Sequence, residues 1–290
     1  MNWIEFEENV DLSKFCTIKI GGTARKIYFP KNQQEIIDLI KLSTDTGKSF
    51  FPIGIGSNTV FSDGILEHIF VSTKNLKKYE IIEKEGFFYI KAQAGVSFKT
   101  INSIVKKYNL EGFENLSGIP ATIGGAVVMN AGAFGSEIAD IIHEVIWIDK
   151  EGNIHRLKRE EIDFKYRHSP FQKNGFVFEA TIKLKPSDKN IAQIIKKHLE
   201  ERNKKQPLNL PTSGSTFKNP PDYAAGYLLE KAGLKGYRIG NVAFSEKHAN
   251  FLVNFGGGKF KELKELIQTA ERRIGELYKI KLEREIEIVE

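Results

Sequence analysis

Cysteine is almost missing from this chain: Cys16 is the single one in 290 residues. No disulfide can close within the sequence, which excludes a disulfide-stapled scaffold and suits a reducing compartment. Long apolar runs are also lacking, and none approaches the roughly 18 residues of a membrane span. The amino terminus, MNWIEFEENVDL, is acidic and has no apolar stretch of the signal-peptide kind, so a cytoplasmic location is expected. The six histidines (His68, His143, His155, His168, His198 and His248) show no His-x-x-x-His or His-Glu pairing with ligand spacing, and no metal is expected. Internal repeats and low-complexity tracts are absent. The net charge of +6 could steer anions, but the basic residues are scattered with no aromatic-interleaved patch, which weighs against a nucleic-acid partner.

What is present reads as globular. Hydrophobic residues make up 41% and charged residues 28%. The length suggests about two domains, with three small lobes possible. ARKIYFP predicts a strand and NQQEIIDLIKLSTDTG a helix stopped by Gly47, followed by the strand SFFPI. FFYIKAQA alternates, and SFKTINSIVKKYNL has an apolar stripe of Phe98, Ile101, Val105 and Tyr108. HEVIWID and IHRLK flank KEGN, a hairpin signal, and FVFEATIKLK alternates again. Beyond Pro186 comes a helix with the stripe Ile191, Ile194, Ile195 and Leu199. The proline-rich PLNLPTSGSTFKNPPD reads as a loop and YAAGYLLEKAG as a short helix capped by Gly233. A long helix follows, with Phe260, Leu263, Ile267, Ala270, Ile274 and Leu277 in register.

Two stretches are poor in side chains. GIGSNTVF, from Gly54, follows a strand but has Thr59 where a dinucleotide fingerprint needs a third glycine. It is either a tight turn or a nest of N–H groups for an anion. GIPATIGGAVVMNAGAFG, from Gly118, carries no charge. Pro120 and Thr122 look like a helix opening, and the helix is expected to end at Gly132. Small residues there serve either close helix–sheet packing or the approach of a pyrophosphate to the backbone.

GIGSN, GIPATIGGAVVMNAGAFG, YRHSPF and SGSTFKNP occur in that order. With these motifs the sequence resembles the UDP-N-acetylenolpyruvoylglucosamine reductases over nearly its whole length. The resemblance implies an α+β fold: a two-lobed FAD-binding domain of the vanillyl-alcohol-oxidase type and a smaller α+β substrate-binding domain. On that pattern residues 1–66 and 67–187 form the flavin lobes, 188–279 the substrate domain, and 280–290 a terminal strand. FAD would lie between the two lobes, with the third closing over the substrate. It implies reduction of the enolpyruvyl sugar nucleotide to UDP-N-acetylmuramate for bacterial peptidoglycan, with NADPH as hydride donor. Neither glycine loop holds a His or Cys to tether a flavin, so FAD is expected to be non-covalent. A monomer is expected.

By the same resemblance Gly54, Gly56, Ser57, Asn58 and Thr59 form one cofactor wall. Gly118, Ile119, Pro120, Thr122, Gly125, Ala126, Asn130, Ala131 and Gly132 form the other. Three residues take catalytic roles. Arg167 faces the substrate carboxylate, Ser215 donates a proton to the α-carbon, and Glu285, just before Ile286, sits beside the carboxylate. Without the resemblance these would read as a surface arginine, a turn serine and one of a solvated row of Glu283, Glu285 and Glu287. Tyr166, Lys218, Asn219, Lys235 and His248 are expected to face the substrate. Only residues 168–214 separate Arg167 from Ser215, so the chain matches the shorter form of the family, without an inserted tyrosine-bearing loop. A flavin oxidase of an alcohol or sugar is the rival, since it would share the FAD domain.

Overall fold

The computed structural model describes residues 4–290. The chain divides into two compact units that interleave along the sequence. The first holds the chain up to Glu8, Lys26–Gly54 and His68–Glu201; the second holds Asn9–Arg25, Ile55–Glu67 and Arg202–Glu290.

The first unit has two cores. In one, helix α1 (Gln33–Thr46) packs Ile36, Leu39 and Ile40 with Ile69, Val71 and Phe176. Asn32 caps its start by accepting from the Glu35 N–H, and Gly47, at φ +66°, ends it. Strand Phe50–Ile53 runs parallel to Ile69–Ser72, as expected of a β-α-β crossover. The other core lies on an antiparallel sheet in which Phe176–Pro186 pairs with both Ile142–Ile148 and Phe87–Gln93. Helix α2 (Phe98–Tyr108) buries Phe98, Ile101, Ile104 and Val105 there, and Phe98 meets Phe113 edge-on with centroids 4.9 Å apart. Helix α3 (Ile123–Val128) is shorter than the sequence suggests: it ends at Met129 rather than Gly132, because Asn130 turns the chain with φ +42°. Helix α4 (Ile191–Lys205) buries Ile191 and Ile195, while Leu199 is exposed. Tyr108, expected on the buried stripe of α2, is also partly exposed, although its ring tilts against Phe88 of the sheet with centroids 5.3 Å apart.

KEGN does form the predicted hairpin, and Asp149 at its base is nearly buried. Burial opposes ionisation of this carboxyl. The His155 ring nitrogen, the N–H and side-chain amide of Asn153 and the Glu151 N–H outweigh that burial and hold the pKa down at about 2. The ordinary value is 3.8. A depressed carboxylate stabilises the fold fully above its unfolded value and loses that contribution as pH falls through the folded one. Asp149 is therefore expected to contribute about 2 kcal/mol at pH 7, falling to about half by pH 3. Urea titrations of wild type and Asp149→Asn at the two pH values test this; an unchanged difference between the proteins would refute it.

In the second unit, strands Thr212–Ser215, Phe251–Asn254, Val242–Phe244 and Arg238–Ile239 form one antiparallel sheet. The stretch that reads as a proline-rich loop thus contains a strand, because Pro207, Pro211 and Pro220 lie outside the four paired residues. Helix α5 (Ala225–Lys231) leads to Gly233 at φ +70°, as expected. Helix α6 (Phe260–Tyr278) buries Phe260, Leu263, Leu266, Ile267, Ala270 and Ile274, and exposes Leu277 in its last turn. The terminal strand Glu287–Val289 pairs in parallel with Thr59–Phe61.

Candidate functional site

In the first unit the glycine stretch packs tightly before it offers anything to a ligand. A Cβ on Gly124 would lie 2.8 Å from the Ala94 Cβ, so this glycine serves helix–sheet contact. Gly54 differs, since its Cβ would meet only the side chain of Thr122, 2.6 Å from Oγ1. Thr122 is the N-cap of α3, yet its hydroxyl caps nothing. The residue is 5% exposed and Oγ1 has no hydrogen-bond partner. A buried hydroxyl left unpaired costs about 1–3 kcal/mol, which is recovered if a ligand supplies the bond. Gly125, one turn along, is exposed with only Thr122 Oγ1 near its missing Cβ, whereas Ala126 is buried in the core. Pro120 is exposed, and Gly118, Ile119 and Ala131 are half-buried.

Arg167 lies on a tight turn closed by reciprocal backbone bonds between Lys165 and His168. It is a non-glycine residue at φ +53°, a conformation that costs of order 1 kcal/mol and clusters at functional sites. The turn is stapled to the end of α3. Ser169 Oγ donates to the Val128 carbonyl at 2.7 Å, and the Asn130 amide donates to the Lys165 carbonyl at 2.9 Å. The guanidinium donates from Nη2 to the Gly132 carbonyl at 2.8 Å, and its carbon lies 4.9 Å from the Tyr166 ring centre. Asn130, wholly buried, donates to Glu137 and to Lys165 and accepts from the Ala139 N–H, so its amide is fully engaged within the protein.

The second unit brings together residues 55–58, Ser215 and Glu285. Gly56 is at φ +64°, and a Cβ there would collide with the Phe15 carbonyl and the Cys16 Cα. Close approach of the protein's own backbone explains this glycine. Asn58 donates from its amide to the Glu285 carbonyl at 2.9 Å and accepts the Glu287 N–H at 2.8 Å. On the other side, the Glu285 N–H donates to the Thr216 carbonyl at 2.9 Å. Ser57 offers its carbonyl 3.7 Å from where a Gly214 Cβ would stand, and Thr59 opens the strand beside Glu287.

Ser215 ends a bulged strand. Thr212 pairs with Val253 but Ser215 with Phe251, so three steps on one strand oppose two on the other. Gly214, at φ +78°, takes up the extra residue. Such a bulge re-aims the side chain that follows it. The hydroxyls of Ser213 and Thr216 on either side are buried without partners. Asn250 clamps the next residues through its carbonyl to the Thr216 N–H and its side chain to both backbone groups of Phe217. Neither Asn250 nor the unpartnered hydroxyls of Ser213 and Thr216 stood out in the sequence, where short polar residues are common in turns.

Lys218 reaches Glu283 at 2.5 Å, Asn219 accepts the Ala225 N–H, and Lys235 pairs with Glu230 at 2.9 Å. His248 accepts the Asn250 N–H and tilts against Phe251. Burial pushes its imidazole below the usual range, so it is neutral at pH 7. Among the described residues no group of three or more His, Cys, Asp or Glu is placed to hold a metal ion, and no helix is long and apolar enough to cross a membrane.

Comparison with known proteins agrees along the whole length. A family model described as FAD binding domain matches residues 24–158. A model of the C-terminal domain of UDP-N-acetylenolpyruvoylglucosamine reductase matches 206–289. The chain is 47% identical to the UDP-N-acetylenolpyruvoylglucosamine reductase of Aquifex aeolicus, over 98% of this chain and 95% of that one. It is 39% identical to the enzyme of the same name from Caldanaerobacter subterraneus, over 97% and 92%. The crystal structure of UDP-N-acetylenolpyruvylglucosamine reductase from Thermus caldophilus superposes with a TM-score of 0.81 at 29% identity, covering 99% of both chains. A cholesterol oxidase from Brevibacterium sterolicum matches at a TM-score of 0.51 and 16% identity, over 64% of this chain and 38% of its own, which shows a shared flavoenzyme fold alone. With curated relatives matching from end to end and both family models in place, the chain belongs to the UDP-N-acetylenolpyruvoylglucosamine reductase family, an α+β fold with an FAD-binding domain of the vanillyl-alcohol-oxidase type.

Proposed function

We propose that this protein reduces UDP-N-acetylenolpyruvoylglucosamine to UDP-N-acetylmuramate, a step of peptidoglycan synthesis, using non-covalent FAD and NADPH. The residues present fit such a cofactor: the buried Thr122 hydroxyl is an unpaired donor that a polar ligand group would satisfy, and the missing side chain of Gly54 is what leaves room for that hydroxyl. In this reading Gly54, Gly118, Ile119, Pro120, Thr122, Gly125, Ala126, Ala131 and Gly132 are FAD-binding residues, with Asn130 shaping their wall, and Gly56, Ser57, Asn58 and Thr59 are FAD-binding residues as well. When bound, the flavin would supply hydride chemistry for the enolpyruvyl double bond, with NADPH as the source of the two electrons.

The protein's residues then manage charge and protons. Arg167 holds the substrate carboxylate, onto which negative charge spreads as the β-carbon is reduced. Ser215 gives its hydroxyl proton to the α-carbon. A serine is a weak acid, so it suits only a strongly basic partner such as this carbanion. Glu285 polarises the region and relays the proton back to Ser215. Lys218, Asn219, Lys235, Tyr166 and His248 serve the nucleotide sugar. The observation that carries the reading is local. The bulge at Gly214 aims Ser215, and the next carbonyl, that of Thr216, accepts the Glu285 N–H, so the proposed acid and its carboxylate neighbour share one short piece of paired backbone. In the same reading the enzyme is a cytoplasmic monomer, since NADPH and nucleotide sugars are cytoplasmic metabolites.

The purified protein is expected to be yellow, to bleach anaerobically with NADPH, and to oxidise NADPH steadily only when UDP-N-acetylenolpyruvoylglucosamine is added. A flavin oxidase would instead be bleached by an alcohol or sugar and not by NADPH, and that outcome would overturn the reading.

A further inference from the structure

We propose that Glu137 is a positioning residue for Arg167, seated by Asn130 on a hairpin whose shape is built for that purpose. The inference rests on the reading of Arg167 as the carboxylate anchor.

The hairpin pairs Gly132 with Glu137 and Ala133 with Ser136. Its two turn residues, Phe134 and Gly135, have φ of +51° and +79°, the signature of the tight turn that matches strand twist. The register puts Gly132 and Glu137 directly opposite each other. The Gly132 carbonyl accepts Arg167 Nη2 at 2.8 Å, and Glu137 Oε1 faces Nη1 at 4.0 Å. The guanidinium is therefore held from both strands of one hairpin. The longer contact is an ion pair rather than a hydrogen bond, so it orients the charge without neutralising it fully. Glu137 is itself fixed, because its Oε2 accepts the buried Asn130 amide at 2.7 Å. The same amide donates to the carbonyl of Lys165, two residues before Arg167, so one side chain sets both the carboxylate and the turn it serves.

Gly132 completes the seat. A Cβ there would stand 2.7 Å from the Ser136 carbonyl, 3.0 Å from Glu137 Cγ and 3.1 Å from Arg167 Nη1. Any side chain at 132 would press on the guanidinium and its carboxylate together. A fixed guanidinium matters because catalysis by charge stabilisation needs donors already in place; a misplacement of about 1 Å can cost on the order of 100-fold in rate.

The test uses the flavin-loaded enzyme with stopped-flow measurement of the two half-reactions separately, calorimetric binding of UDP-N-acetylmuramate, and thermal melting. Glu137→Ala is expected to slow reoxidation by the enolpyruvyl substrate roughly 10- to 100-fold while leaving reduction by NADPH and the melting temperature nearly unchanged. Glu137→Gln, which keeps an acceptor for Asn130, should recover part of the loss. In an Arg167→Ala background the Glu137 substitution should have no further effect. If Arg167→Ala alone leaves reoxidation intact, the anchor reading fails. If Arg167→Ala slows it and Glu137→Ala does not, or if Glu137→Ala slows both half-reactions and lowers the melting temperature equally, the positioning role fails by itself.

Discussion

Replacing Ser215 by alanine is expected to leave flavin reduction by NADPH intact and to slow reoxidation by the sugar nucleotide by about 10²–10⁴-fold, the usual worth of a positioned general acid. The geometry supports so sharp a split. Ser215 lies at the end of a strand whose pairing with Phe251 is independent of its hydroxyl, and Asn250 fixes the residues after it. Deleting one oxygen should leave that frame standing. The hydroxyl is reached by the bulge at Gly214, so Gly214→Ala offers a companion. A Cβ there meets only the Ser57 carbonyl at 3.7 Å, but φ +78° is unfavourable for alanine. That variant should relax the bulge and slow the same half-reaction with Ser215 still present. Single-turnover reoxidation of the photoreduced enzyme is the measurement. Wild-type reoxidation in Ser215→Ala would remove the residue from its role.

The second large effect separates two glycines, Gly54 and Gly56, two positions apart in one short loop. Gly56→Ala is expected to destabilise the fold by about 3 kcal/mol or more, lowering the melting temperature by roughly 10 °C. Its Cβ would strike the backbone of Phe15 and Cys16, and backbone cannot rotate aside. Its carbonyl also accepts the Thr17 N–H, so a shift at Gly56 would break that bond. Gly54→Ala is expected to behave differently. Its Cβ would meet only the end of the Thr122 side chain, which can turn about one bond. The melting temperature of the apoprotein should change little, but the bound flavin should fall, because the Thr122 hydroxyl that fits it is displaced. Melting curves and absorbance at the flavin band, measured on the same preparations, distinguish the two. Equal loss of stability in both variants would refute the distinction.

Much of this was legible in the chain. Apolar period located α1, α2 and α6, and Gly47 and Gly233 marked the ends of α1 and α5, because such stops act through local backbone that does not depend on the rest of the fold. Motif order was enough to indicate the family, since GIGSN, the long glycine stretch and SGSTFKNP are all short, contiguous and rich in unusual residues. Glycine content also marked where backbones approach, though not what approaches. At Gly56 it is Phe15 and Cys16, at Gly124 it is Ala94, and at Gly54 and Gly125 it is the unpaired Thr122 hydroxyl.

Local pattern was silent where partners lie far apart in sequence. The strand at Thr212–Ser215 hides among prolines, and its pairing with residues near 252 has no local signal. Asn58 bonding to Glu285 spans 227 positions, and Asn130 reaching Lys165 spans 35. Leu199 and Leu277, which periodicity puts on apolar stripes, are exposed, and nothing in their local pattern marks that. The sequence by itself therefore determined the elements, the family and the residue types that can do the chemistry, because each is written in a run of neighbouring residues. Only the tertiary structure decided that segments 9–25 and 55–67 join the C-terminal unit, that a bulge aims Ser215, and that Glu137 stands across a hairpin from the carbonyl holding Arg167. Those are facts of register and closure, set by hydrogen bonds between residues that no local window contains.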